Sequence, residues 1–257
     1  MSSLTVKNVT LKFGGLTAVN DLSFEIPAGS ITSVIGPNGA GKTSVFNMIT
    51  GFYRPTAGQI MLGNENLVGK KPSQITQRGL ARTFQNLRLF PNLTVLDNVK
   101  SGMHSRTKQT VWGALWHTPA QKKEERLIEE VARDCLAFVG MDASRYRIAK
   151  NLPYGEQRYL EIARALATKP RVLLLDEPAA GLNYEEKENL IELIKRIRQK
   201  YELTVLIIEH DMGLIHKISE NVIVLDYGQK IAEGAPAEVL NHPRVVEAYL
   251  GKEEEAM

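Results

Sequence analysis

The sequence has little of what marks a secreted or membrane-spanning protein. It contains one cysteine, Cys135, so no disulfide can form within the chain. Its longest apolar runs, at 172–175 and 204–208, are far shorter than the roughly 20 residues that cross a bilayer. The N-terminal residues M-S-S-L-T-V-K lack the apolar core of a signal peptide. These absences predict a protein of a reducing cytoplasm that serves any membrane from outside the lipid.

The sequence also has only a small excess of positive over negative charge. Lysine and arginine total 32 against 29 aspartate and glutamate, a net charge of +3, which is too weak a bias to indicate nucleic-acid binding. We therefore expect no nucleic-acid partner. With 257 residues, of which 43% are hydrophobic and 24% charged, the chain has a globular composition and can bury a substantial core. Disorder is expected only in the K-E-E-E-A-M tail at 252–257.

Alternating strand and helix patterns follow one another along the chain. Turn residues divide the first 35 residues into three β-like runs, which predict a region of antiparallel strands that leads into a glycine-rich loop. Apolar spacing at 94–149 is mainly helical and predicts an inserted helical subdomain. A parallel α/β sheet is then predicted from helices 155–168, 184–200 and 211–218 alternating with strands 171–175, 203–208 and 221–226.

The strongest motif is the phosphate-loop pattern G-P-N-G-A-G-K-T at 36–43, between a predicted strand and a predicted helix. Its glycines let successive N–H groups turn toward a polyphosphate, and the helix N-terminus adds attraction. Lys42 is expected to reach the β- and γ-phosphates, and Thr43 to bind Mg²⁺. An ordinary glycine-rich turn is the alternative. The predicted nucleotide-binding residues here are Gly36, Pro37, Asn38, Gly39, Ala40, Gly41, Lys42, Thr43 and Ser44.

Two acidic residues follow the apolar run at 172–175, where α/β sheets place their chemistry. Asp176 is predicted to hold Mg²⁺ directly or through water, and Glu177 to act as general base on the attacking water. A solvated strand end or a helix cap is the alternative for this pair.

Three further residues are weaker candidates when each is taken alone. His210 ends a second apolar strand and can donate to a γ-phosphate, or it is a surface histidine beside a helix cap at Asp211. Gln85 could bridge the metal ion or the attacking water to a mobile loop. Phe13 could stack on an adenine ring, or it is a buried strand aromatic.

Together these motifs occur in the order and spacing of the ATP-binding cassette (ABC) ATPases, which the whole chain resembles. They are the 36–43 loop, F-Q at 84–85, L-P-Y-G-E-Q-R at 152–158, V-L-L-L-D-E-P at 172–178, G-L-N at 181–183 and E-H-D at 209–211. Further stretches are similar to the larger ATP-binding subunit of bacterial branched-chain amino-acid importers. These are K-F-G-G-L at 12–16, T-G-F-Y-R-P-T-A-G at 50–58, R-T-F-Q-N-L-R-L-F at 82–90, D-E-P-A-A-G-L-N at 176–183, I-E-H-D-M at 208–212 and A-Y-L-G at 248–251.

The resemblance implies an α/β P-loop NTPase fold. It consists of a RecA-like parallel-sheet core, an N-terminal antiparallel β subdomain and an inserted α-helical subdomain. The whole chain is then one ABC ATPase domain, in which the core and β subdomain occupy about 1–93 and 158–257. The helical subdomain, at about 94–157, carries the signature loop.

The same resemblance implies a head-to-tail pair that sandwiches ATP between the phosphate loop of one subunit and the signature loop of the other. Residues implied to act on the subunit's own nucleotide are Lys42, Thr43, Gln85, Asp176, Glu177 and His210, with Mg²⁺ held by Thr43, Gln85 and Asp176. Residues implied to act on the partner's nucleotide are Leu152, Pro153, Tyr154, Gly155, Glu156 and Gln157. The second ATPase is expected to be a paralogue, with a homodimer as the alternative.

Hydrolysis of ATP would then drive two transmembrane permease subunits from the cytoplasmic face of the inner membrane. A periplasmic binding protein would deliver leucine, isoleucine or valine. No residue of this chain should touch the cargo, so polar amino acids, amides and urea stay open. An exporter ATPase for lipid or lipopolysaccharide, a non-transport ABC ATPase and a regulatory nucleotide-binding module also stay open.

Some positions depart from the family pattern. Pro153 replaces the serine of the usual L-S-G-G-Q, which removes a hydroxyl and a backbone N–H. We therefore expect the site that this loop completes to be the weaker of two. Asn183 replaces a usual aspartate, which puts a charge-dependent role of its loop in doubt.

Trp112 and Trp116 are expected to pack in the helical insert, with a permease contact as the alternative.

Overall fold

The computed structural model describes residues 2–103 and 119–250, with side chains described for 2–103 and 123–249. The predictions for Trp112, Trp116 and the 252–257 tail fall outside the described residues. The strands are β1 (Leu4–Phe13), β2 (Leu16–Ile26), β3 (Ile31–Ile35), β4 (Ala57–Leu62), β5 (Glu65–Asn66), β6 (Leu80–Arg82), β7 (Val172–Asp176), β8 (Thr204–Ile208), β9 (Asn221–Asp226) and β10 (Gln229–Gly234).

Helices stand between and after these strands. They are α1 (Lys42–Ile49), α2 (Pro72–Gln77), α3 (Val95–Met103), α4 (Pro119–Phe138), α5 (Tyr154–Ala167), α6 (Tyr184–Tyr201), α7 (Met212–Ile218), α8 (Pro236–Val239) and α9 (Pro243–Leu250). Short 3₁₀ turns lie at Asp142–Ser144 and Ala149–Asn151. Within the described part of the chain, no helix is both long and apolar enough to cross a membrane.

An antiparallel sheet of four strands has the order β2-β1-β4-β5. Along β1, Leu4 and Val6 are buried, and then the alternation shifts by one residue so that Val9 and Leu11 are buried. The shift coincides with a register irregularity and with Asn8 in the left-handed region at φ 48°. One face of this sheet therefore stays apolar over the length of β1 despite the bulge.

The second sheet has six strands in the order β10-β9-β3-β8-β7-β6, and only the β10–β9 pairing is antiparallel. All residues of β3, β7 and β8 are buried. The sequence prediction was wrong about β3, which joins this sheet between β9 and β8 rather than the antiparallel region. A central parallel strand is covered on both faces, which accounts for its apolar run without alternation.

Side chains of β7, in the six-stranded sheet, enter two apolar clusters. Leu173 and Leu175 point into the cluster that β7 shares with α3, α4 and α5, whereas Val172 and Leu174 point into the cluster shared with α1 and the antiparallel sheet. The carboxyl ends of β7 and β8 are therefore held in register by packing on both faces, and the polar residues that follow them emerge side by side.

Candidate functional site

The phosphate loop connects β3 to α1 and has a backbone that only glycine can adopt at two of its residues. Gly36 has φ 147°, and a Cβ atom there would lie 2.0 Å from the carbonyl oxygen of Leu225. Gly41 caps α1 at φ 100°, and its Cβ would lie 2.9 Å from the carbonyl oxygen of Ala18. The loop is thus pressed between the β9–β10 turn and β2, so its N–H groups keep a fixed direction.

Lys42 is held inside this loop. Its Nζ atom donates to the carbonyl oxygens of Gly36 at 2.7 Å and Pro37 at 2.9 Å, and the residue is only 6% exposed. These contacts place a buried ammonium group at the floor of the loop, where it would face a bound anion.

A cavity of about 470 Å³ opens in front of the phosphate loop. Its walls are Leu16, Thr17, Ala18, Asn38, Gly39, Ala40, Gly41, Lys42, Thr43, Ser44, Gln85, Glu177, His210 and Tyr227. The cavity brings together most of the residues predicted to act on the subunit's own nucleotide, although they lie on separate segments of the chain. Gly36 and Pro37 are not in the lining, and their carbonyl oxygens bind Lys42 instead.

Glu177 lies at the end of β7 with its carboxylate held from two sides. Its Oε2 accepts a hydrogen bond from Nε2 of Gln85 at 2.7 Å, and its Oε1 lies 2.9 Å from Nε2 of His210. The backbone N–H of Glu177 donates to the carbonyl of Ile208, and its φ of 47° is rare for a residue with a side chain. A carboxylate fixed in this way beside an anion-binding loop can accept a proton from water.

Asp176 is paired with an arginine that sequence reasoning missed. Its Oδ2 lies 2.7 Å from Nη2 of Arg82, and both side chains are buried. Arg82 also donates to Asn47 at 2.7 Å and to Thr50 at 3.1 Å. Burial lowers the pKa of Arg82, and the hydrogen bond and charge of Asp176 oppose that shift. The buried carboxylate is therefore charge-compensated within the chain.

Oxygen-bearing side chains border a second cavity, of about 350 Å³, that adjoins the first. Thr43 and Gln85 line both cavities, and Asp176 lines the second. A hydroxyl, an amide and one carboxylate suit Mg²⁺, which prefers oxygen ligands and completes its octahedron with water and phosphate. No cluster of three or more His, Cys, Asp or Glu among the described residues could hold a metal. A Mg²⁺ ion held by Thr43, Gln85 and Asp176 would take its remaining oxygen ligands from water and phosphate.

Phe13 lies outside the lining of the phosphate cavity. Its ring is half-exposed and packs edge-on against Tyr53, with ring centroids 5.2 Å apart. The cavity wall on this side comes from Leu16, Thr17 and Ala18, at the start of β2. Adenine stacking on Phe13 stays a prediction.

Tyr227 is a second residue that sequence reasoning missed. It lines the cavity from the turn between β9 and β10, with φ 44° and 72% exposure. The dipeptide Tyr227-Gly228 between two β-like runs was the available signal for this turn.

The signature loop lies apart from this cavity. Pro153 caps α5, and both Pro153 and Tyr154 are exposed, whereas Leu152 is buried. Nε2 of Gln157 donates back to the carbonyl of Leu152 at 2.9 Å. No residue of 152–157 is among those lining the cavity of the same chain. The action of this loop on a partner's nucleotide stays a prediction.

Asn183 has a structural role that does not need charge. It caps α6, and its side chain accepts from the N–H of Glu186 at 2.9 Å while the Glu186 carboxylate accepts from the N–H of Asn183 at 2.9 Å. This reciprocal capping box explains a short polar residue here.

The C-terminal helix packs behind the phosphate loop. Tyr249 of α9 joins an apolar cluster that includes Ile35, the residue before Gly36. Burial raises the pKa of the Tyr249 hydroxyl to about 12, and the neighbouring backbone N–H of Gly36 opposes the shift. Tyr249 thus supports the strand that carries the phosphate loop.

Comparison with known proteins identifies the family. A family model described as ABC transporter matches residues 19–180, and one described as branched-chain amino acid ATP-binding cassette transporter matches residues 229–255. The chain is 44% identical over 249 residues to the high-affinity branched-chain amino acid transport ATP-binding protein BraF of Pseudomonas aeruginosa. It is also 44% identical over 249 residues to the high-affinity branched-chain amino acid transport ATP-binding protein LivG of Escherichia coli. Each alignment covers 97% of this chain and 98% of the relative.

A solved structure is similar over the whole fold. The crystal structure of MJ1267, an ATP-binding cassette of an ABC transporter, in its ADP conformation has a TM-score of 0.85 and 31% identity to this chain. The match covers 98% of this chain and 99% of that one. The predicted fold class and the predicted family resemblance are both confirmed. The chain belongs to the ABC transporter family and is one of its ATP-binding, ATP-hydrolysing cassettes.

Proposed function

We propose that this cassette is the ATP-hydrolysing subunit of an importer for branched-chain amino acids. The observation that carries the catalytic part of the proposal is the Glu177 carboxylate. It lies between Gln85 and His210 and in the same cavity as the phosphate loop. Such a carboxylate is oriented by two partners and partly shielded from solvent, as a general base for water requires.

The phosphate loop and Lys42 would hold the β- and γ-phosphates by backbone N–H groups and one ammonium group. Thr43, Gln85 and Asp176 would hold Mg²⁺, which supplies charge neutralisation of the phosphates when bound. Glu177 would take a proton from the attacking water, and His210 would orient Glu177 or donate to the γ-phosphate. Either bond requires an N–H on His210, and the bond to Glu177 requires the proton to be on Nε2, because a carboxylate only accepts.

The cargo and the partners are proposed from the relatives. BraF and LivG are named as branched-chain amino-acid transport proteins, and their similarity covers nearly the whole of this chain. We infer two transmembrane permease subunits, a paralogous second ATPase and a periplasmic binding protein, with this subunit on the cytoplasmic face of the inner membrane. The proposed signature-loop role of 152–157 requires such a second ATPase, since the loop lies outside the chain's own cavity.

The test is purification of the tagged chain from native membranes, followed by reconstitution of the complex in vesicles. We expect two permease subunits and a second ATPase to co-purify. ATP turnover should rise when binding protein loaded with leucine, isoleucine or valine is added, and empty binding protein is the control. Turnover that instead responds to lipid or lipopolysaccharide would contradict the importer proposal and favour an exporter.

A further inference from the structure

A buried ion pair on α5 has no part in the phosphate site. Arg158 and Glu161 lie one helical turn apart, with Nη1 and Oε2 3.6 Å apart and side chains 3% and 2% exposed. Burying two charges is unfavourable unless hydrogen bonds satisfy them. Burial raises the pKa of Glu161, and backbone N–H groups and nearby arginines oppose that shift. The partners of this pair therefore indicate what the pair does.

Most of those partners lie in the segment 84–88. Arg158 donates from Nη1 to the carbonyl of Phe84 at 2.8 Å and from Nη2 to the carbonyl of Gln85 at 2.6 Å. Oε1 of Glu161 lies 3.3 Å from the backbone nitrogen of Phe84 and 3.5 Å from that of Arg88, and it accepts from both. A planar guanidinium can serve two adjacent carbonyls at once, whereas an ammonium group acts as a single point charge. The pair thus clamps the backbone of 84–88 onto α5.

The clamp acts on the catalytic carboxylate through one intervening residue. Gln85, whose carbonyl is bound by Arg158, directs its side chain at Glu177 with an Nε2–Oε2 distance of 2.7 Å. A shift of the Gln85 backbone would therefore change the position of the Glu177 carboxylate.

The clamp also reaches the signature loop. Nη2 of Arg158 donates to the hydroxyl of Tyr154 at 2.9 Å. The ring of Tyr154 lies against Gly181, where an added Cβ would be 3.0 Å from Cε1 of the tyrosine. One guanidinium group thus contacts both the segment that carries Gln85 and the loop proposed to complete the partner's site.

We propose that Arg158, braced by Glu161, is a positioning residue that ties Gln85 to the signature loop, so that the geometry at Glu177 in one site follows the state of the loop serving the other. This inference rests on the proposed roles of Glu177 and of the signature loop. It assigns a function to an aromatic side chain in that loop, because the Tyr154 hydroxyl is the point where the loop meets the clamp.

The chain offers a matched control on the same helix. Arg164 also lies beside Glu161, with Nη2 and Oε1 4.0 Å apart, and it is also largely buried. Among the described residues it donates no hydrogen bond to 84–88. Arg158→Lys and Arg164→Lys therefore each replace a guanidinium group by an ammonium group on the same helix. Only the first substitution removes hydrogen bonds to the segment 84–88.

The experiment uses the complete transporter complex and compares the two variants with wild type. For Arg158→Lys we expect kcat for ATP to fall about tenfold or more, since small misplacements of catalytic groups have large effects, while ATP affinity stays within about twofold. Hydrogen exchange of the Phe84 and Arg88 amides should become faster, and exchange in α1 should not change. Tyr154→Phe should give the same pattern with a smaller loss. Arg164→Lys should match wild type in both readouts.

Two outcomes would overturn the proposal. One is an Arg158→Lys variant with wild-type kcat and wild-type exchange at 84–88. The other is an equal loss in both lysine variants that follows their melting temperatures, which would indicate a general packing role. If the wild-type complex itself hydrolyses no ATP, the proposed function fails, and the exchange of Phe84 and Arg88 still tests the clamp.

Discussion

The phosphate loop at 36–43 and the signature loop at 152–157 differ in how completely this chain surrounds them. The first is pressed between β2 and the β9–β10 turn and has its lysine bonded to its own carbonyls. The second exposes Pro153 and Tyr154 and contributes nothing to the cavity of the same chain. A fully packed loop can therefore bind its ligand alone, whereas an exposed helix N-terminus is suited to a ligand brought by another subunit.

The most severe loss is expected from removing the proposed general base, Glu177, on the phosphate-loop side. Glu177→Gln keeps an acceptor for Gln85 but cannot take a proton, so hydrolysis should fall by roughly 10²–10⁴-fold while ATP binding is retained. Steady-state phosphate release and equilibrium ATP binding measure the two. Glu185→Gln, an exposed change at the start of α6, is the control and should turn over normally.

A pair of glycine substitutions compares the two loops directly. Gly36→Ala places a methyl group 2.0 Å from a backbone oxygen that cannot move alone, and such overpacking costs about 1–3 kcal/mol or more. Gly155→Ala meets the Oε1 end of the Glu186 side chain at 2.8 Å, and moving this side chain would at most loosen its capping contact with Asn183, with no backbone in the way. We expect ATP binding by the isolated chain to be lost with Gly36→Ala and kept with Gly155→Ala.

The control for this pair is Gly39→Ala, which has open space for its Cβ but a φ of 80°. It should fall between the other two, because it carries backbone strain without a clash. Equal ATP binding by the Gly36 and Gly155 variants would show that the two loops do not differ as the packing indicates.

Placing a serine at position 153 tests the same comparison between the two loops, this time by changing the exposed signature loop. Pro153→Ser adds a hydroxyl and a backbone N–H, and a hydrogen bond to a charged acceptor contributes about 1.5–3 kcal/mol. In the reconstituted pair we expect ATP affinity at the completed site to rise about tenfold or more. ATP binding by the isolated chain should stay the same. No change in affinity or turnover of the pair would mean that the missing donor does not matter.

A small change in stability is expected from substituting Asp211, the residue that follows His210 and caps the next helix. Asp211 caps α7 through the N–H of Leu214, and Lys187 of α6 bonds its carboxylate at 2.6 Å. The hydrogen bond from Lys187 lowers the pKa of Asp211. A lowered folded-state pKa means that the stabilisation is present at neutral pH and is lost as pH falls from about 3.9 through the folded value.

Asp211→Asn keeps the capping oxygen and removes the charge. Because both side chains are about one-third exposed, we expect a loss below about 1 kcal/mol at pH 7. The difference from wild type in denaturant unfolding should shrink as the pH is lowered toward 3, provided the chain stays folded. A difference that does not depend on pH would rule out the charge as its cause.

Much of the fold could be predicted from local pattern. The strand predicted at 221–226 is β9 with the same bounds. For the other elements predicted after residue 150, each end in the structure lies within one residue of the predicted end. The β-like run expected before Gln85 is β6, whereas the sequence prediction missed β4, β5, α2, β10, α8 and α9. These elements are short, as with the two residues of β5, or they owe their structure to pairing with a distant strand, as β4 does with β1. Local periodicity cannot register such partners.

The residues of the candidate site likewise divide into those that local sequence patterns identified and those that depend on distant partners. Contiguous motifs identified the phosphate loop, and strand ends identified Glu177 and His210, because parallel strands bring their carboxyl ends to one edge. Arg82 was missed because its partner Asp176 lies 94 residues away. Arg158 was missed for the same reason, since its partners are 73 and 74 residues away. Contacts between residues so far apart in the chain produce no recognisable pattern of spacing in the sequence.

The difference between the two loops has a functional meaning only if the signature loop of each chain serves the nucleotide held by the other chain. The direct measurement is photolabelling with an ATP analogue that carries its reactive group on the γ-phosphate, in a pair in which only this chain has Lys42→Ala. We expect residues 153–155 of this chain to remain labelled, while the partner's signature loop loses its label. Loss of label at residues 153–155 of the chain that carries Lys42→Ala would contradict the exchange of loops between subunits.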